Sequence, residues 1–484
     1  MLNKLVLKYR SMSLPAKAGV WFTVCSIVQR GISVISMPVF TRMLSTDEYG
    51  TYSLYTSWYM LFSLVATLNL ASEVFNKGLT DYEDERSDYT TSQCALITVL
   101  ASGFYVIYLI FRESANALTG MGTLLTSLMF LDIYTTTIVS LWFARKRFDY
   151  AYRPLFAVTV GVSLTSVAAG IISVWLAPDE WKVAARVASN ILPSLVVALC
   201  VLTSFLSKSR KVFNSRWWCQ SVRMGVPLVP HYVSQVLLNQ SDKVLIGWFM
   251  NMTSVAIYGV AHSAGLLLAM VNNGINASFV PWLYGKLRSK SYEDAAGVAN
   301  VLALIVLALV FCLMLLAPEC VAILATEEYR DAIWCIPPIA TGVVFAFVYT
   351  LFVNVEIYYG RAGYVAVASL ISAALNLALN WALIPQLGYV ASAWITSACY
   401  FATAGLHFAF MKRSLRAAGV SARVYDSRAL FAICVLALVC AIISILLYLT
   451  GIFRYAVIAI FVIISVLLRG KVRSVLTAIR FQEK

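Results

Sequence analysis

Charged side chains are scarce in this sequence, since Asp, Glu, Lys and Arg make up 12% of the residues and hydrophobic side chains 61%. Soluble domains carry about 25% charged residues, so this scarcity excludes a soluble globular protein and predicts a polytopic membrane protein. No cleavable leader is expected, because the basic start MLNKLVLKYRSMSLPAK has neither a long apolar core nor a small-residue cleavage site. The first long apolar run is therefore expected to remain as a membrane anchor.

Paired cysteines of the metal-binding or redox type are absent as well. The ten cysteines form no CxxC pair, and most lie in apolar runs, where cysteine behaves as a small hydrophobic residue. We therefore expect no disulfide framework, no metal site and no cofactor. The net charge of +14 does not indicate a nucleic-acid partner, because membrane proteins collect Lys and Arg on their cytoplasmic side.

Fourteen apolar runs are long enough to cross the bilayer as helices, which takes roughly 20 residues each. They lie at approximately 17–40, 50–72, 92–111, 119–143, 155–177, 183–206, 222–248, 253–281, 298–316, 332–359, 364–384, 388–411, 429–449 and 453–469. Of the 37 Lys and Arg residues, 28 then fall on one side of the membrane, 5 on the other and 4 within spans. This asymmetry supports the number of spans and predicts that both termini are cytoplasmic.

The two halves of the chain share a short repeat. Residues 40–55, FTRMLSTDEYGTYSLY, align with residues 249–264, FMNMTSVAIYGVAHSA, at an offset of 209. Six predicted spans lie within that offset, so the repeat is parallel rather than inverted. We predict two six-helix lobes, residues 1–209 and 210–414, followed by residues 415–484 with two more helices and a basic cytoplasmic tail.

Polar side chains form faces along several predicted helices. The faces consist of His231, Gln235, Asn239 and Asp242 in the seventh span, Tyr258, His262 and Asn273 in the eighth, Thr23, Ser26, Arg30 and Ser33 in the first, and Ser369, Ser372, Asn376 and Asn380 in the eleventh. Such residues either bond across helices, at about 1 kcal/mol each, or line water. Both interpretations remain open for Gln235 and Asn239, and we predict a shared water-filled cavity between the lobes.

Charges within spans are costly, at about 2.5–3.5 kcal/mol each at mid-bilayer even on lenient scales. Arg30, Asp242 and Lys243 are therefore expected to face water, an opposite charge or a ligand. Asp132 and Glu356 are candidate partners for Arg30. Arg223, close to the predicted cytoplasmic entrance of its span, fits an interfacial role as well as a ligand-binding one.

Four stretches resemble the polysaccharide transporter branch of the multidrug/oligosaccharidyl-lipid/polysaccharide (MOP) superfamily, above all its Wzx-type O-antigen repeat-unit flippases. The stretches are QRGISVISMPVFTRMLSTDEYGTYSLYTSW at 29–58, PLVPHYVSQVLLNQSDKVLIGWFM at 227–250, AIYGVAHS at 256–263 and YYGRAGYVAVASLISAALNLALNWALIPQLGYVASAWIT at 358–396. Together with the spacing of spans, the resemblance covers nearly the whole chain. It implies an all-α polytopic membrane protein with about 14 transmembrane helices in two MATE-like lobes.

The function implied by the resemblance is that of a flippase in the bacterial inner membrane. It would move an undecaprenyl-pyrophosphate-linked oligosaccharide repeat unit, of O-antigen, capsule or exopolysaccharide, from the cytoplasmic to the periplasmic leaflet. The expected cavity residues are Arg30, Lys243, Asp242, His231, Asn239, His262, Asn273, Asn376 and Asn380, with Arg30 and Lys243 facing the pyrophosphate. Asp132, Asp242 or Glu356 would bind a coupling proton or sodium ion. Expected partners are this glycan and membrane lipids, and a polysaccharide polymerase and a chain-length regulator are further candidates.

Two other functions remain open from the residues. A MATE-type exporter of small cations would favour an acidic, aromatic cavity, whereas Arg30 and Lys243 are prominent here. A membrane glycosyltransferase or polymerase would use Asp47 and Glu48 as catalytic acids, but acids at that position also suit a helix N-terminus. Such enzymes tend to carry a large external domain, and no predicted outer loop exceeds about fifteen residues. Phosphate-binding glycine loops and nucleophile elbows are absent too, so we expect no catalysis.

Overall fold

The computed structural model describes residues 12–451, 453–461 and 463, and within them the chain is helical with no strand. The helices are α1 Leu14–Met43, α2 Thr46–Thr67, α3 Glu73–Asp81, α4 Arg86–Ile110, α5 Arg112–Thr119, α6 Thr123–Phe148, α7 Tyr152–Leu176, α8 Lys182–Lys208, α9 Ser215–Gly225, α10 Val229–Phe249, α11 Met252–Arg288, α12 Tyr292–Leu315, α13 Ala317–Leu324, α14 Ala332–Tyr358, α15 Ala362–Leu387, α16 Tyr389–Ala417 and α17 Ser427–Tyr448. The predicted all-α class is confirmed.

Thirteen of the predicted spans each coincide with a helix of at least 21 residues. The fourteenth, 453–469, lies partly outside the described residues, and its described part, 453–461 and 463, is helical. Ten of the described helices contain a stretch long and apolar enough to cross a bilayer. The long helices that fall short of this criterion are α2, α10 and α16, and all three contribute to polar networks described below.

Polar residues at the start of α2 cap the helix. Ser45 caps the helix by accepting a hydrogen bond from the Glu48 backbone N–H at 3.2 Å, and the Glu48 carboxylate accepts one from the Ser45 N–H at 2.7 Å. Asp47 lies in the same first turn. This is a capping box with acids placed at the positive end of the helix dipole. The geometry accounts for both acids without catalysis.

The chain divides into two compact units, one ending at Val236 and the other beginning at Leu237, so α10 contributes to both. In the first unit a hydrophobic core cluster joins α3, α4, α6, α8 and α9. Its aromatic centre is Phe75, Tyr82, Tyr89 and Trp217, with ring centroids 5.3–5.8 Å apart. Short helices α3 and α9 are thereby fixed to the long ones.

Gly78 in α3 is required by this aromatic centre. A Cβ at that position would lie 2.1 Å from the Tyr89 ring carbon Cζ, and Tyr89 is 2% exposed and packed on three sides. We expect Gly78→Ala to destabilise the first unit by about 1–3 kcal/mol, the usual range for overpacking a rigid core. Thermal unfolding in detergent measures the effect. Gly103→Ala in α4 is the matched control, because a Cβ there meets no atom within 4 Å, and equal stability of both variants would contradict the prediction.

In the second unit, α14 is the central helix. It packs against α11, α12, α16 and α17, and residues such as Val344, Phe347 and Leu351 are at most 1% exposed. Helix α17 covers α12 and α14 with Leu430, Ile433 and Ala437. A long helix surrounded on all sides explains why its sequence is apolar around its whole circumference.

Candidate transport sites

A buried carboxylate lies in the second unit, at the predicted outer end of α10. Asp242 is 2% exposed and accepts three hydrogen bonds from neutral side chains. Asn380 Nδ2 of α15 donates to Oδ1 at 2.9 Å, Thr396 Oγ1 of α16 donates to Oδ2 at 2.8 Å, and the Tyr258 hydroxyl of α11 also donates to Oδ2. Three other helices therefore converge on this one side chain.

A second layer of side chains orients these donors. Ser392 Oγ donates to Asn380 Oδ1 at 2.7 Å, Asn376 Nδ2 donates to Thr396 Oγ1 at 2.9 Å, and Ser241 Oγ donates to Asn376 Oδ1 at 2.9 Å. Both asparagines are 0% exposed. Each chain of bonds runs towards the carboxylate, so the donors hold one another in place and strengthen one another. The polar face predicted on the eleventh span is thus used between helices within the second unit.

Lys243 follows directly in the sequence but is not part of this network. Its side chain is 7% exposed, and Nζ lies 3.2 Å from Gln240 Oε1. Among the described residues no carboxylate lies within 4.0 Å of it. The adjacent acid and base therefore have separate surroundings rather than forming an ion pair.

The two predicted residues of α11 differ in position. The His262 imidazole is half-buried and stacks on Tyr258 at 6.4 Å and 20° between planes, which brings it next to the Asp242 network. Its Nδ1 has no hydrogen-bond partner among the described residues. Asn273 is exposed three turns further along the helix and does not join the network.

The remaining residues predicted on α10 fall into both units. Asn239, in the second unit, accepts a hydrogen bond from the Tyr400 hydroxyl at 2.8 Å. His231 and Gln235, in the first unit, contact each other at 3.2 Å between Nε2 atoms. All three lie on the predicted polar face of the helix.

A second buried acid in the second unit pairs with a histidine that the sequence patterns did not single out. His407 Nδ1 of α16 lies 3.0 Å from Glu356 Oε1 of α14, and the two residues are 1% and 0% exposed. The imidazole also stacks on Tyr349 at 5.7 Å. Glu356 therefore has its own partner within its unit. The available signal was a lone histidine in an apolar span, which by itself cannot identify a contact 51 residues away.

Arg30 of α1 is exposed, as are Thr23, Ser26 and Ser33 on the same face. Thr23 and Ser26, nearer the start of the helix, donate hydrogen bonds to backbone carbonyls of the preceding turn. Thr23 Oγ1 donates to Gly19 O at 3.0 Å, and Ser26 Oγ donates to Phe22 O at 3.1 Å. The predicted face is thus an open surface with one guanidinium near its middle. A charge there must be solvated or meet an anion.

Asp132 of α6 is half-buried in the first unit. Its Oδ2 accepts a hydrogen bond from the Tyr55 hydroxyl at 3.0 Å and its Oδ1 one from Thr136 Oγ1 at 3.1 Å. No ion pair joins it to Arg30 among the described residues. Of the two acids considered as partners for Arg30, this one bonds to neutral hydroxyls and Glu356 bonds to His407.

Arg186 of α8 is a buried cation to which the sequence analysis gave no role. It is 7% exposed, and its guanidinium lies 3.8 Å from the Phe40 ring centroid and 5.0 Å from that of Tyr52. Nη1 donates to Asn190 Oδ1 at 2.8 Å and to Ser189 Oγ at 3.2 Å. The aromatic faces supply negative potential in place of a carboxylate, so this arginine joins α1, α2 and α8.

Solved structures with the same fold are transporters. A lipid II flippase, MurJ, in an inward closed conformation matches with a TM-score of 0.69 at 12% identity, covering 94% of this chain and 100% of its own. An inward-facing multidrug resistance MATE transporter of the MOP superfamily matches with a TM-score of 0.62 at 12% identity, covering 83% of this chain and 96% of its own. These likenesses confirm the predicted MATE-like fold.

Sequence comparisons agree with the resemblance stated above. A Haemophilus influenzae protein named Lsg locus putative protein 1 is 21% identical over 412 residues, which cover 80% of this chain and 97% of that protein. A family model described as "Polysaccharide biosynthesis protein" matches residues 16–285, more than half of the chain. The chain is therefore a multi-pass membrane protein that belongs to the polysaccharide biosynthesis protein family.

Proposed function

We propose that this protein is a flippase for a lipid-linked oligosaccharide. It moves an undecaprenyl-pyrophosphate-linked repeat unit of O-antigen, capsule or exopolysaccharide from the cytoplasmic to the periplasmic leaflet of the bacterial inner membrane. Both termini are cytoplasmic in this proposal, and transport proceeds by alternating access between inward and outward openings.

Family membership is the observation that carries the proposal, and the exposed polar face of α1 agrees with it. Arg30 lies on that face without a carboxylate partner among the described residues. A guanidinium forms paired hydrogen bonds with phosphate oxygens, so it suits the diphosphate of such a cargo. Polysaccharide polymerase and a chain-length regulator would receive the product on the far side.

The function is tested by removing the protein from its native cells and by reconstituting it in liposomes. Cells without it should accumulate undecaprenyl-pyrophosphate-linked oligosaccharide and lose surface polysaccharide, and proteoliposomes should move the extracted lipid-linked oligosaccharide across the bilayer faster than empty liposomes. Normal surface polysaccharide in the deletion strain together with no acceleration in proteoliposomes would refute the proposal.

Coupling to a proton or sodium gradient is the second part of the proposal, with Asp242 as its site. The network around Asp242 offers one carboxylate and several neutral oxygens, which suit a single positive charge. We expect Asp242→Asn to lower gradient-driven transport by about tenfold or more, since a charge-assisted interaction contributes about 1.5–3 kcal/mol. Because the amide keeps the size and one acceptor of the carboxylate, the protein should stay folded.

Two isosteric variants serve as matched comparisons for this prediction. Asp132→Asn and Glu356→Gln neutralise the other candidate acids in the same way. Transport measured with and without an imposed proton or sodium gradient identifies the coupling residue as the one whose variant no longer responds. A gradient response that Asp242→Asn leaves intact, and that either comparison variant removes, would assign coupling to the other acid.

A MATE-type exporter of small molecules is the second candidate, because the multidrug transporter shares the fold and because three acids lie within predicted spans. Ethidium efflux from cells that overproduce the protein distinguishes the two. Dye efflux without any effect of deletion on lipid-linked oligosaccharides would favour the exporter.

A further inference from the structure

The first unit contains a cavity of about 500 Å³ between the C-terminal halves of α2 and α6, closed at one end by α3 and the turn before it. Eleven of its sixteen lining side chains are polar, which separates it from the mostly apolar pockets that bind drug-sized molecules. Exposed Glu73, Asn76 and Arg147 mark its mouth. Its volume is within the range of sites for small ligands.

Six of the seven hydroxyl groups in the lining, all except that of Tyr59, have already used their protons. Thr67 Oγ1 donates to Ser63 O at 2.6 Å, Thr137 Oγ1 to Ile133 O at 2.6 Å, and Ser140 Oγ to Thr136 O at 2.8 Å. The hydroxyls of Ser63, Ser72 and Thr136 likewise donate to Met60 O, Asn69 Oδ1 and Asp132 Oδ1. A hydroxyl has one proton and two lone pairs, so these groups can offer only acceptors to a ligand.

The charges and rings in the lining restrict the ligand further. One carboxylate, Glu73, which accepts a hydrogen bond from Tyr232, and one guanidinium, Arg147, give the cavity no net charge. The donors that remain are the Tyr59 hydroxyl, the amides of Asn69 and Asn76 and the Arg147 guanidinium. A diphosphate brings several negative charges and no donor, which a lining without net charge and with many acceptor oxygens does not match. Phe143 and Phe148 also line the cavity, and aromatic rings attract weakly positive C–H groups through their negative quadrupole. The Arg86 guanidinium, 4.5 Å from the Phe148 ring centroid, covers one face of that ring. A neutral, hydroxyl-rich ring compound satisfies all these features.

The rim of the cavity is backbone in an unusual conformation. Leu68 and Asn69, between α2 and α3, have φ of 51° and 49°, the left-handed region that non-glycine residues rarely adopt. Asn69 is fixed there, because its Oδ1 accepts the hydrogen bond from Ser72 Oγ at 3.0 Å. Strain of this kind concentrates at functional sites.

We propose that this cavity is a binding subsite for one or more neutral sugar residues of the cargo headgroup, and that the diphosphate binds outside it. The inference rests on the proposed flippase function and adds the location at which the glycan part is held. Sugar hydroxyls donate to the lining oxygens, and the apolar face of a sugar ring lies on the phenylalanine rings.

Thiol labelling tests the subsite in the full-length protein. Ser140→Cys places a reactive thiol in the lining, in a background where exposed Cys200 is replaced by serine, and native Cys219 on α9 is exposed outside the cavity and reports on the same molecule. N-ethylmaleimide modification at each thiol is followed by mass spectrometry. Ser63→Cys, on the opposite wall, is the second reporter if the first variant does not fold.

Three probes distinguish the chemistry of the cavity. Oligosaccharide released by mild acid from the lipid-linked repeat units of the native cells should slow labelling of the introduced thiol at least fivefold and leave Cys219 unchanged. Undecaprenyl pyrophosphate without sugar and tetraphenylphosphonium should protect neither thiol. No protection by the oligosaccharide, or equal protection by the lipid phosphate or the organic cation, would overturn the subsite.

A variant in the lining gives a quantitative check. Asn76→Ala should weaken protection by the oligosaccharide about three- to tenfold, as expected for one or two lost hydrogen bonds. Thr80→Ala, one turn further along α3 and outside the lining, is the matched control. Labelling that is unprotected while proteoliposomes still transport would reject the subsite alone, whereas failure of the deletion and liposome experiments would reject the flippase function itself.

Discussion

Replacing Arg30 with alanine should abolish surface polysaccharide while the protein remains in the membrane at its normal level. Arg30 is exposed on α1, so its removal leaves no cavity and no orphaned partner, and folding should be unaffected. Truncating one member of a desolvated charge pair costs about 2–5 kcal/mol. Transport of lipid-linked oligosaccharide in proteoliposomes should therefore fall about thirtyfold or more.

Two controls separate charge recognition from other effects at this position. Arg30→Lys keeps the charge and should restore part of the transport, although it loses the paired hydrogen bonds of the guanidinium. Arg153→Ala removes another exposed arginine, near the start of α7, and should transport normally. Equal transport by Arg30→Ala and Arg153→Ala would show that the guanidinium of Arg30 does not meet the cargo.

Lys243→Ala extends the same test to the buried cation. Lys243 is 7% exposed and contacts Gln240 rather than an acid, so alanine breaks no ion pair but leaves a cavity and the Gln240 Oε1 atom without this donor. We expect some loss of stability in the second unit, and we again expect surface polysaccharide to be lost. Immunoblotting of surface polysaccharide together with membrane levels of the protein measures both outcomes. Full complementation by Arg30→Ala and Lys243→Ala alike would remove charge recognition of the diphosphate from the proposal.

Helix positions were predictable from the sequence because apolar length and the Lys/Arg asymmetry both follow from the bilayer. Each of the first thirteen predicted spans coincides with a long helix. Hydropathy alone is a weaker predictor of membrane spans for the more polar helices. Two examples are α10 and α16, which carry Asp242 and Thr396 of one polar network. For these helices the unequal distribution of Lys and Arg between the two sides of the membrane, rather than apolar content, supported the predicted spans.

Partners of polar side chains were much less predictable. A helical wheel places Asn376 and Asn380 on one face of α15, yet it cannot tell that this face meets α10 and α16 instead of open water. The aromatic surroundings of Arg186 and the pairing of Glu356 with His407 join residues from different helices. Such contacts depend on how helices pack, and one sequence gives the periodicity of a face but not its neighbour.

The Glu356–His407 pair should be the most sensitive point for stability in the second unit. His407→Phe keeps an aromatic ring against Tyr349 but leaves the Glu356 carboxylate, which is 0% exposed, without its hydrogen-bond partner. Leaving a buried hydrogen-bonding group without its partner costs about 1–3 kcal/mol, and more for a charged group. Thermal or denaturant unfolding in detergent should show this loss for the single variant.

The double variant Glu356→Met/His407→Phe tests whether the two side chains serve only to pair with each other, because replacing both partners by apolar side chains of similar size is often neutral or stabilising. It should recover stability to within about 1 kcal/mol of the original protein, and a double variant as unstable as His407→Phe would contradict a simple pairing role. Transport by the recovered double variant then decides what the pair is for. Normal gradient-driven transport would make Glu356 and His407 a packing feature of α14 and α16, whereas a stable protein that no longer responds to the gradient would make Glu356, rather than Asp242, the coupling acid.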